Sequence, residues 1–164
     1  MLVTNHVLTG ALVGLASPGP VTAFVGGVAS HFALDAVPHW GDRPMEEVMP
    51  IAVADGLTGL AAIAVVWRRT PPGWRLRVLA GMAGASVPDL DKPGRVFLGA
   101  SPFPRVVDDF HARIQTRESS ARMPQEVLVG IGTATVLGLV LGRMRRSAGR
   151  SRSTSTTPTP TTSA

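Results

Sequence analysis

The sequence predicts an all-α fold, a polytopic membrane bundle of about five apolar helices with a short fourth member and one long polar loop. Three observations predict it. The 164 residues are 45% hydrophobic and only 16% charged. The charges collect in one loop and at the ends of the apolar runs. The 18 Gly and 14 Pro are high for a soluble helical domain but are tolerated in membrane helices.

Taken in order, the first apolar segment covers residues 2–16 and stops at "SPGP", Ser17 to Pro20. It lacks the basic start of a secretory signal, so it reads as a retained helix. The second covers residues 21–37 and ends at Pro38. The third, residues 48–67, has the ~20 residues a bilayer needs and stops at Arg68-Arg69. The fourth, residues 74–87, is short and runs into "PDLD". The fifth, residues 124–142, stops at "RMRR". Residues 1–142 form the membrane domain, with residues 88–123 as its polar loop and a short helix expected over 105–116. Residues 143–164 form a basic, then Ser/Thr/Pro-rich tail expected to be disordered. Gly10/Gly14, Gly138/Gly142, Gly81/Gly84 and Gly56/Gly59 are spaced for close helix contact.

The net charge is +5, and every basic residue except Lys92 is Arg. Because the charges flank apolar segments, they read as topology signals, with the lipid bilayer as partner. Few aromatics and no Tyr argue against a base-stacking surface, so no nucleic-acid partner is expected. Arg68, Arg69, Arg75 and Arg77, and the cluster from Arg143 to Arg152, fall on one side of a five-crossing chain. That side holds nine basic residues against seven on the other, so the expected cell-membrane topology is multi-pass with a cytoplasmic tail.

Depth along each helix, at ~1.5 Å per residue, brings scattered polar residues together. His6 and His31 lie ~15 Å from the cytoplasmic ends of their segments, Asp35 ~21 Å, and Asp55 and Asp89 ~18 Å. Four helices thus place ionisable groups in one layer of a ~30 Å core, where burial is costly and usually serves a function. His31 and Asp35, four apart, share a helix face, and Asp89 and Asp91 share a turn. With no Cys, any metal must take His and carboxylate ligands. His6, His31, Asp35, His39, Asp55, Asp89, Asp91 and His111 offer such a set for one divalent ion or two, zinc, manganese or another. Asp55 or His111 would assist proton transfer as the catalytic group. His39 is either a further ligand or an interfacial residue, and Glu118 reads as loop charge.

The motifs "TNHVLTGALVG", "GGVASHFALDAVPHWG" and "GASVPDLDKP" resemble those of a family of bacterial membrane-bound metal-dependent hydrolases. The resemblance covers most of residues 4–91. It implies hydrolase activity and metal ligation by His6, His31, Asp35, Asp89 and Asp91. Two features depart from that family: the "SHxxxD" helix precedes the "PDxD" turn, and its "HRGxTHS" element has no good copy. In motif order the chain is more similar to a small bacterial membrane group with "NHxLxGA" and "SHxxLDxxPH". Two functions follow as expectations. One is a metal-dependent hydrolase at the membrane. The other is a non-enzymatic membrane protein whose polar layer is a helix-packing network or an ion path. Oligomeric state is not fixed by the sequence.

Overall fold

The computed structural model describes residues 1–115 and 117–153, with side chains described as far as residue 148. Among the described residues the fold is all-α. Its helices are α1 (Val3–Ala16), α2 (Pro20–Asp35), α3 (Met45–Arg69), α4 (Arg75–Ser86), α5 (Asp91–Leu98), α6 (Arg105–Ile114) and α7 (Met123–Ser153).

Local chemistry sets the boundaries. Pro20, with its fixed φ and missing N–H, opens α2. Glu46 and Glu47 in the first turn of α3, and Arg68 and Arg69 in the last, match the helix dipole. Pro88 ends α4 and tightens the chain into a 3-10 turn, Val87–Leu90. α5 closes on Gly99, whose φ of 74° is the left-handed cap that glycine favours.

The five apolar segments correspond to α1, α2, α3, α4 and α7. Two expectations are corrected. The polar loop holds α5 as well as α6. The last helix does not stop at residue 142 but runs to Ser153, since Arg is a good helix former and cations favour a helix C-terminus. The expectation of a disordered tail is therefore wrong for residues 147–153, and residues 154–164 lie outside the described residues. Among the described residues two helices are long and apolar enough to cross a membrane, Met45–Arg69 and Ser120–Ala148.

α1, α2 and α4 form a tight trio. A Cβ on Gly10 would stand 2.5 Å from the Gly81 carbonyl oxygen, so the two backbones touch. Gly27 approaches the same carbonyl, and Gly84 meets the Phe24 backbone. Gly138, by contrast, faces open space and Gly142 meets only Arg146, so the expected contact through that pair is not made. Beside the trio, Val7, Leu8, Val66, Val78, Met82, Leu137 and Leu141 join α1, α3, α4 and α7 in one apolar core.

The helices alternate in direction. At one end Arg77 donates to the Ser17 carbonyl at 3.0 Å, tying the α1–α2 turn to the start of α4. At the other end meet the starts of α1 and α7 and the ends of α2 and α4.

Candidate metal centre

All four histidines of the chain turn a ring nitrogen toward the carboxylate of Asp35, which closes α2 and is fully buried. His111 Nε2 lies 3.0 Å from Oδ2 and His31 Nε2 3.2 Å from the same oxygen. His6 Nε2 lies 3.1 Å from Oδ1, and His39 Nε2 is more distant at 4.0 Å. Gln115 donates to Oδ2 at 2.8 Å, and the Met1 amino group donates to Oδ1 at 3.1 Å.

Each side chain arrives by a local rule. His31 and Asp35 stand one helical turn apart on α2, on one face. His6 enters from the second turn of α1, its ring stacked on His31 at 4.0 Å. His111 is carried in by α6, and its ring meets both His31 and Phe32 edge-on. Asp89 comes from the 3-10 turn after α4, its Oδ1 3.9 Å from His31 Nε2.

Lone pairs crowd the centre. The Ala85 carbonyl lies 2.8 Å from His31 Nδ1 and accepts its N–H, which leaves the Nε2 lone pair facing inward. That lone pair meets His111 Nε2 at 3.1 Å as well as Asp35. His6 is fully buried, yet among the described residues neither ring nitrogen has a hydrogen-bond partner. Its 3.1 Å approach to Asp35 misses the angle a hydrogen bond needs. A buried imidazole without a partner is costly, and a cation at the centre would satisfy it.

The donor set fits a metal. One ligand atom each from His31, Asp35, Asp89 and His111 lies within 4.8 Å of the others. Ligands ~2.1 Å from a zinc ion stand ~3 to 4 Å apart, close to the distances found. Nitrogen and oxygen donors without sulfur suit zinc or manganese.

The expected residues divide. His6, His31, Asp35 and Asp89 come together. His111, expected to move protons, sits among the ligand atoms instead. Asp91 does not join them. Successive side chains of a 3-10 turn are ~120° apart, so positions 89 and 91 point away from each other. Position 92 instead eclipses 89, and Lys92 pairs with Asp89. Asp91 opens α5 with Oδ1 buried and unpartnered. Asp55 is held apart by another task. Its two oxygens accept the Val3 and Thr4 N–H groups at 2.6 and 3.1 Å, capping α1.

Several residues escaped the sequence reading. Glu126, 1% exposed on α7, accepts from Leu2 N, Asn5 Nδ2 and Trp40 N. Glu118 is not plain loop charge: it lies 3.3 Å from the Nε2 of fully buried His39. That contact holds the Glu118 carboxyl below the usual glutamate range. The Val37 carbonyl lies 2.8 Å from His39 Nδ1 and accepts its N–H, which turns Nε2 toward Glu118. No sequence spacing links these groups. Compared with known proteins, the chain matches no family model, no curated protein and no solved structure.

Proposed function

We propose that this chain is a multi-pass membrane protein and a metal-dependent hydrolase of phosphoesters. The observation that carries the metal reading is the buried convergence of His6, His31 and His111 on Asp35, with the His6 nitrogens lacking any other partner. His31, Asp35, Asp89 and His111 would hold a divalent ion, zinc or manganese, with His6 beside them. Such an ion supplies Lewis acidity and a nucleophile at neutral pH.

The chain's own residues do the rest. The Ala85 carbonyl fixes the His31 tautomer, and Gln115 orients Asp35. Lys92 steadies Asp89. The His39–Glu118 pair stands next to the cluster and would relay protons. In the reaction a water oxygen bonds to phosphorus and the ester P–O bond breaks. The proton that the water gives up passes to His39 Nε2, and His39 returns it to the departing alkoxide. The membrane reading is supported by α3 and α7 and by the apolar side chains they leave exposed, such as Leu57, Leu60 and Leu128.

A polar packing network is the right account of Asp55 and Glu126, whose oxygens are filled by N–H donors. It does not account for His6. Metal analysis decides between the two. The protein is purified in detergent without chelator, repleted with zinc or manganese, and measured by mass spectrometry of the metal. The expected result is stoichiometric metal in the wild type and its loss in folded His31→Ala and Asp89→Ala. Wild type without metal, together with a lower Tm in both variants, would overturn the hydrolase and leave the network.

A further inference from the structure

A cavity of about 750 Å3 opens beside the metal-ligand cluster, between α1, α3 and α5. One end is polar, with Asp89, Lys92, Gln115 and Glu118 on its wall. From there it runs along α3 past Val48, Ala52, Gly56 and Leu60. Its volume is that of an ordinary small-molecule site, and its lining follows α3 for several turns. Val48 to Leu60 is ~18 Å of helix, about the ~15 Å of one leaflet in a ~30 Å core. Leu57 and Leu60 line it and are 63% and 64% exposed, so the cavity opens sideways along the apolar face of α3.

We infer that this groove takes one acyl chain of a membrane phospholipid and brings its phosphate headgroup to the Asp89–Lys92 end. The inference rests on the proposed hydrolase and names its substrate class. Charge and polarity set the orientation. Lys92 and Arg43 are the cations on the cavity wall, and both stand at its polar end. Lys92 is paired to Asp89, a candidate metal ligand, so a phosphate held by Lys92 lies against the cluster. The length beyond carries no cation, and apart from Asp55, whose oxygens are taken by the Val3 and Thr4 N–H groups, its lining is apolar and suits hydrocarbon.

Gly56 gives a clean test. It lines the groove, and a Cβ built on it meets nothing within 4 Å. Gly56→Leu therefore fills the groove without disturbing the backbone and adds helix propensity. The full chain, repleted with metal in detergent, is titrated with phosphatidic acid carrying a fluorescent parinaroyl chain. A second titration uses parinaric acid methyl ester, which has the chain but no phosphate. The wild type is expected to bind the phosphatidic acid at least tenfold more tightly than the methyl ester. Gly56→Leu is expected to lose at least tenfold in phosphatidic acid affinity while keeping wild-type metal content. Equal affinity in Gly56→Leu, equal affinity for the ester, or no binding would each overturn the inference. Turnover is scored separately. Lipid bound without hydrolysis leaves the groove standing and removes the hydrolase, whereas metal and hydrolysis of a soluble phosphoester without lipid binding do the reverse.

Discussion

Three carboxylates reach the start of α1, and they divide by the donors they meet. Asp55 and Glu126 accept backbone and amide N–H groups, among them the Leu2, Val3 and Thr4 donors that a helix start leaves unpaired. Asp35 meets three imidazole rings, beside the Gln115 amide and the Met1 amino group. The difference predicts opposite phenotypes. Asp55→Ala leaves two N–H donors without partners, at ~1–3 kcal/mol for each that stays buried. It is expected to lower stability by about 2 kcal/mol and leave metal content unchanged. Asp35→Ala is expected to abolish metal binding. Thermal melts and metal analysis of the two variants check this, and loss of metal in stable Asp55→Ala would return Asp55 to the site. The His31–Asp35 pair was legible in the sequence because four residues make one helical turn. Glu126 was not, because its partners Leu2 and Asn5 lie 124 and 121 residues away. Glu118 was misread for the same reason, its partner His39 being 79 residues off.

At the scale of elements, the apolar runs were legible because hydropathy alone marks segments that avoid water. α5 was hidden, since "DKPGRVFL" carries Pro93, Gly94 and two cations inside eight residues. Glycine spacing was half informative. Gly10/Gly14 and Gly81/Gly84 face neighbouring backbone, whereas Gly56 and Gly138 face open space at the same kind of spacing. The sequence cannot tell these apart because spacing does not say which face meets a neighbour. The structure does, and it predicts opposite signs for one substitution. Gly81→Ala places a methyl into the Gly10 carbonyl and must force α1 from α4, as overpacking does. A loss of about 1–3 kcal/mol is expected. Gly138→Ala gains helix propensity, up to ~1 kcal/mol. Tm values in one detergent should fall for the first and hold or rise for the second. A shared sign would mean that the α1–α4 contact is looser than described.

For the molecule as a whole, both ends of the bundle have a distinct chemistry. One end gathers the 17–20 and 70–74 turns and the Arg-rich end of α7. The other carries the His/Asp cluster, roofed by α5 and α6. α5 and α6 leave Phe97, Leu98 and Val106 largely exposed, which suits helices lying in a membrane interface. The positive-inside bias predicts a cytoplasmic Arg-rich end, which would set the cluster in the outer half of the bilayer. The chain contains no Cys, so single cysteines report topology without background. Ala100→Cys, exposed between α5 and α6, should react with a membrane-impermeant maleimide in intact cells. Ala148→Cys, exposed near the end of α7, should react only after lysis. The reverse pattern would turn the protein over and put the proposed phospholipid in the inner leaflet. Labelling of both in intact cells would put residues 100 and 148 on one side and refute the crossing by α7, the apolar helix between them.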